Sequence, residues 1–231
     1  MIACGAALGL LVAALIVLPP ETRRARSTTP ALPTILRACR SGQGAWAAAM
    51  IVVTSFILGL IEVVAPLDLD ARLGLSASVI GLLFASSIAV DAVFAPFGGR
   101  WGDRSGRAYP AFVGLLGTAV SAVLLAVLPG VLGTIVALAA YGAGFSLAIS
   151  AAVPWLDEAF DEGERGLAYG VQNLLYAGGY AIGPLVGGAL LAASGADLAY
   201  AVCAIVVAAA AVGLWFRWPA EEKSGDVTTA T

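Results

Sequence analysis

Long, almost uninterrupted apolar runs dominate this chain and settle its fold class. Seven stretches qualify, at about 2–18, 45–66, 78–98, 109–128, 131–153, 168–193 and 197–216. A helix needs about 20 such residues to cross the hydrocarbon core of a bilayer. Backbone amides cannot go unpaired in lipid, so only helices or closed barrels span it. These runs are too long and continuous for barrel strands. The chain therefore reads as an all-α polytopic membrane helix bundle of about seven transmembrane helices. Composition agrees: 60% of the 231 residues are hydrophobic and 12% charged, where soluble domains carry about 25% charged residues.

The connections Pro129-Gly130 and Ser194-Gly195-Ala196-Asp197 are too short for anything but antiparallel neighbours. If successive loops alternate sides, one side collects Arg23, Arg24, Arg26, Arg37, Arg40, Arg100, Arg104, Arg107, Arg165, Arg217 and Lys223. The other collects Arg72 alone. The positive-inside rule makes the first side cytoplasmic. The expected setting is a plasma membrane of bacterial type, with the C-terminus inside.

Residues 2–18 lack the basic flank and small-residue cleavage site of a signal peptide. They are expected to be an internal spanning helix of a longer protein. The expected plan is a spanning helix over 1–19, a cytoplasmic linker over 20–44, a six-helix half over 45–218 and a disordered tail over 219–231. The linker is rich in Arg, Thr and Pro and shows no sustained apolar face.

Several function classes are set aside. The net charge of −3 includes no clustered basic footprint for nucleic acid. The chain has no histidine, and Cys4, Cys39 and Cys203 share no metal-type spacing. No serine-centred nucleophile motif is present. No metal, cofactor or enzymatic role is expected.

Acidic groups inside a bilayer cost about 2.5–3.5 kcal/mol on insertion scales and are functional candidates for that reason. Asp91 lies nine residues before Arg100, roughly 13 Å along a helix and close to the midplane. Ser87, Ala95 and Gly98 share its face, which is small and partly polar, so Asp91 is expected to point into the bundle. There it can carry a proton or pair with a cationic substrate. Glu62 lies in the outer part of its span, with Ser55, Gly59 and Pro66 on the same side. Gln172, Tyr176 and Tyr180 recur every four residues, beside Asn173, on a face suited to an amphipathic or cationic organic molecule. Asp157, Glu158, Asp161, Glu162 and Glu164 read as a solvated loop and helix-start charges.

Two motifs remain. Gly99-Arg100-Trp101-Gly102-Asp103-Arg104-Ser105-Gly106-Arg107 is placed on the turn between the third and fourth spans. Gly170, Gly179, Gly183-Pro184 and Gly187-Gly188 run along the sixth. Glycine rows of this spacing let membrane helices approach closely, and Pro184 removes an amide donor and bends the helix.

The first motif resembles the loop signature of the major facilitator superfamily, repeated in that family between its eighth and ninth helices. The second resembles the glycine-proline signature of the superfamily's drug:proton antiporters, here in the eleventh helix. Leu18-Pro19-Pro20-Glu21-Thr22-Arg23 is similar to the end of their sixth helix. Leu60-Ile61-Glu62 with Ala65-Pro66, and Tyr180-Ala181-Ile182-Gly183-Pro184, look like the vesicular amine transporter branch, where the glutamate contributes to substrate recognition. That branch carries acids in its tenth and eleventh helices, whereas the matching positions here hold Ser150 and Asn173-Leu174.

The resemblance implies residues 45–216 as helices seven to twelve of a secondary transporter. General proton-coupled efflux of a small organic or drug-like molecule, by alternating access, fits better than monoamine transport. The implied partners are lipid, substrate, protons and an N-terminal transporter half. The substrate or proton pathway would use Glu62, Asp91, Ser150, Gln172, Asn173, Tyr176 and Tyr180. Gly99, Asp103, Arg104, Gly106 and Arg107 would act as a conformational loop. The alternative is a truncated or non-transporting membrane subunit that keeps the fold and needs a partner half.

Overall fold

A computed structural model of the protein describes residues 31–216. The predicted helix at 2–18, the linker before residue 31 and the tail over 219–231 lie outside them. Among the described residues there is no strand. Seven helices follow in order: α1 (Ala31–Arg40), α2 (Gly42–Leu73), α3 (Ala77–Ser105), α4 (Ala108–Val127), α5 (Gly130–Asp157), α6 (Arg165–Ser194) and α7 (Ala196–Phe216). A 3-10 turn, Glu162–Glu164, leads into α6. α2 to α7 supply six helices long and apolar enough to cross a membrane, as the apolar runs predict.

The helices outrun those runs. α2 continues through Asp68, Asp70 and Arg72 until Gly74 turns left-handed (φ 63°) and donates its N–H to the Asp70 carbonyl at 2.9 Å. Two of the charges that end the apolar run, Asp68 and Arg72, are held by pairing. Arg72 lies 3.3 Å from Asp68 and donates to the Leu125 carbonyl of α4 at 3.3 Å. The Tyr200 hydroxyl of α7 donates to Asp68 at 3.2 Å. α2, α4 and α7 are thereby tied together at this end.

α3 likewise runs through the glycine-arginine motif, and the turn after it is only Gly106 (φ 83°) and Arg107. The sequence places the whole motif on the turn. In the structure Gly99 to Arg104 are helical, with Asp103 and Arg107 paired at 2.8 Å across one helical turn.

Two glycine contacts bring the bundle together. A Cβ on Gly183 of α6 would run into the Phe56 carbonyl of α2, and one on Gly59 of α2 would stand 2.5 Å from the Tyr180 carbonyl of α6. Gly179 meets Val52 and Ser55, and Gly187 meets Leu60 and Val64. α2 and α6 thus interlock backbone on backbone. The second contact lies on α5: Gly144 meets Gly114 and Gly117 of α4, and Gly142 meets the Ser87 carbonyl of α3. α7 closes on α4 through Phe112 and Trp215, whose rings are 5.0 Å apart, and on α2 through Trp46 over Gly213.

The linker holds more structure than its composition predicts. α1 is a short amphipathic helix with Thr34 and Ala38 buried and Leu36 and Arg37 exposed. Arg37 reaches Asp161 at 3.1 Å and Glu164 at 3.0 Å, while the Thr34 hydroxyl donates to Glu164 at 3.3 Å. Only 6% of Glu164 is exposed. The acidic cluster is therefore not simply solvated, because Glu164 pins α1 to the start of α6.

Backbone atoms cannot move aside as a side-chain tip can. Gly183→Ala is therefore expected to destabilise the protein by about 1–3 kcal/mol. Gly170, which faces open space, should tolerate Ala within about 0.5 kcal/mol. Thermal unfolding of the purified protein in detergent checks both, and equal melting of the two variants would contradict the glycine interlock.

Candidate functional site

The α2–α6 interlock places the first part of the site. Glu62 stands three residues beyond Gly59, and the Tyr180 backbone lies over that glycine. Across this contact the Tyr180 hydroxyl donates to the Glu62 carboxylate at 2.5 Å. Hydrogen bonds to a charged oxygen are short and roughly twice as strong as neutral ones. Tyr176, one turn before Tyr180, stacks on it with ring planes 9° apart and centroids 6.3 Å apart. Glu62, Tyr176 and Tyr180 thus form one continuous acidic and aromatic surface.

A cleft of about 610 Å³ opens beside Glu62 between α2 and α3, lined also by Pro66, Asp70, Ser76, Ile80 and Phe84. Glu62, Pro66 and Asp70 recur every four residues and share a helix face. Asp70 lines the same cleft, and the sequence reading misses it. It lies past the apolar run and reads as a loop charge, although its four-residue spacing from Glu62 is visible. Asp68, two residues before Asp70, turns instead to Arg72 and Tyr200.

Asp91 belongs to a different helix pair. Its face of α3 lies on α5: Ser87 and Gly98 are buried there, and the Ser146 hydroxyl donates to the Asp91 carbonyl at 2.9 Å. The Asp91 side chain is half-buried, and no described residue is hydrogen-bonded or ion-paired to its carboxylate. Tyr141, on α5, is 5% exposed and its hydroxyl has no hydrogen-bond partner among the described residues. A tyrosine within an apolar run passes as core, so the sequence gives no reason to select it.

Three predicted pathway residues do not join this group. Ser150 sits against Gly98, where a Cβ would come within 3.0 Å of it. Exposed Asn173 donates its amide to the Tyr169 carbonyl of its own helix at 3.0 Å. Gln172 lines a separate cleft with Pro154, Asp157 and Tyr169, because it stands two turns back along α6 from Tyr180, roughly 12 Å. Of the glycine-proline helix, Gly179, Gly183, Pro184 and Gly187 meet α2, whereas Gly170 and Gly188 face open space.

The glycine-arginine turn, expected to act as a conformational loop, is built around Arg107. Its side chain is 17% exposed, with the guanidinium 2.8 Å from Asp103 and its Nε donating to Glu158 at 3.2 Å. One arginine thereby joins the end of α3 to the end of α5. Gly102 makes room, since a Cβ there would stand 3.0 Å from Arg107 Nη1. Gly99 faces open space and Arg104 is exposed.

If Tyr180 holds Glu62, Tyr180→Phe should raise the rate at which a hydrophobic carbodiimide labels Glu62 by about fivefold or more, roughly 1 kcal/mol for one net hydrogen bond. The melting temperature should change little, because the ring remains in place. Peptide mass mapping of the labelled site reads the rate, and equal labelling would mean that the bond does not protect the carboxylate.

The sequence profile of the Major Facilitator Superfamily matches residues 47–231, well over half of the chain. No curated protein matches the chain.

Proposed function

The chain belongs to the major facilitator superfamily of membrane transporters, and we propose that it is the C-terminal six-helix half of a proton-coupled exporter of small organic, drug-like molecules. The superfamily is one of transporters rather than enzymes, and the apolar helices make the protein integral to the membrane. The observation that carries the finer reading is the Glu62–Tyr180 hydrogen bond beside an open cleft between α2 and α3, with the half-buried carboxylate of Asp91, unpartnered among the described residues, further along α3.

A carboxylate at that position can hold a cation or a proton, but not both at full strength. An arriving organic cation would stack on Tyr176 and Tyr180 and pair with Glu62. A proton arriving at Glu62 or Asp91 would remove the charge that holds the cation. Alternate occupancy of the same acids is the minimum chemistry of exchange. The likeness to drug:proton antiporters supports the same direction of reading. The basic end, with Arg100, Arg104 and Arg107, would face the cytoplasm by the positive-inside rule.

A specific observation favours a partner half. Only 17% of the apolar stretch of α3, and of the segment Glu162–Ser194, is buried within the protein, against 61% for α2 and 56% for α5. Gly81, Gly99, Gly170, Gly178 and Gly188 on these two helices have nothing within contact distance. Small residues facing open space suit close approach by further helices. A second six-helix half would cover them and complete a central pathway. A non-transporting subunit that keeps the fold would need the same partner.

Everted membrane vesicles holding the protein and energised by a pH gradient are expected to accumulate a fluorescent organic cation. Asp91→Asn and Glu62→Gln should each reduce that flux at least tenfold, with helix content and melting unaltered. Wild-type flux in both variants would leave the acids structural. Flux no greater than in vesicles without the protein, with or without a partner half, would count against transport.

A further inference from the structure

We infer that the basic groove at the end of α3 binds the phosphodiester headgroup of an anionic membrane phospholipid. The groove encloses about 570 Å³ and is lined by Phe97, Arg100, Trp101, Arg104 and Ser105. The arginines at this end are used differently. Arg107 is largely buried and satisfied by Asp103 and Glu158. Arg100 and Arg104 are exposed, and no carboxylate among the described residues pairs with either. They stand one helical turn apart, where like charges repel. A shared anion relieves that repulsion, and two guanidinium groups can grip one phosphate through parallel N–H donors. Asp103 is close in sequence, but its carboxylate is engaged by Arg107.

The surroundings favour a lipid over a free anion. Phe97 is 58% exposed and lies about 4.5 Å further into the membrane along the helix, where an acyl chain would run. Trp101 meets Tyr109 of α4 edge-on at 5.2 Å, and such rings concentrate at the headgroup level of a bilayer. A protein half covering the groove would have to bring a carboxylate to each arginine, since buried unpaired charge is costly. A phospholipid brings its phosphate and its apolar chains together. The site depends only on membrane insertion and operates in whichever leaflet the basic end meets.

Native mass spectrometry of the full chain, released from nanodiscs of mixed phosphatidylglycerol and phosphatidylcholine, tests this. Wild type is expected to retain phosphatidylglycerol over phosphatidylcholine on the order of 30-fold, the effect of two arginines at a membrane surface. The double variant Arg100→Gln, Arg104→Gln should fall to near parity. The double variant Arg100→Lys, Arg104→Lys should keep most of the preference, which separates charge from folding. Inorganic phosphate in tenfold excess should leave the lipid bound. Displacement by phosphate would make the site one for free anions and overturn the lipid assignment. Equal retention by wild type and the Gln variant, or no preference in wild type, would overturn the site altogether. So would cross-linking of Arg100→Cys to an acidic segment of another protein chain in place of lipid.

Discussion

The backbone contact between α2 and α6 is the constraint on which the rest of the structure depends. Lipid offers no hydrophobic drive for one apolar helix to choose another, so close van der Waals approach must supply the preference. Gly59 on one side and Gly179, Gly183 and Gly187 on the other permit an approach that any Cβ would block. The same contact fixes the register, because Tyr180 lies over Gly59 and its hydroxyl can reach only one turn along α2. There it finds Glu62. Packing geometry and site chemistry are thus consequences of one row of small residues.

Polar groups within the bundle follow the rule that nothing goes unpaired cheaply. Ser55 returns its hydroxyl to the Ile51 carbonyl, Thr118 to Gly114, and Ser121 crosses from α4 to the Ala137 carbonyl of α5. These bonds satisfy the helices locally and leave no group for a ligand. The Thr54 and Tyr141 hydroxyls and the Asp91 carboxylate are different, since none has a hydrogen-bond partner among the described residues.

The six described spans were legible because each carries a long apolar signal of its own. Their ends were not. Asp68 and Arg72 look like loop residues until Tyr200 and the Leu125 carbonyl, far away in sequence, are seen to hold them. α1 escaped notice for the same reason: ten residues have little helical stability alone, and its anchor, Glu164, lies 127 positions from Arg37. In the site, Glu62 and Asp91 stood out by their cost in a membrane. Tyr180 was visible as part of a stripe, but its bond to Glu62 depends on helix register, which the sequence does not state. Tyr141 and Asp70 are ordinary residue types in ordinary surroundings, and only three-dimensional placement distinguishes them.

The site is divided between two tightly packed helix pairs. Glu62, Tyr176 and Tyr180 ride on α2 and α6, while Asp91 rides on α3, which is joined to α5 by Gly142, Gly98 and the Ser146 bond. Arg107 fastens the α3–α5 pair at the basic end through Asp103 and Glu158. Arg37 fastens α1 to α6 through Asp161 and Glu164. The cleft beside Glu62 opens between the two pairs. A small rotation of one pair against the other would change the distance between the two acids without breaking either interlock. In the exchange proposed above, that distance is the quantity a conformational change would need to control.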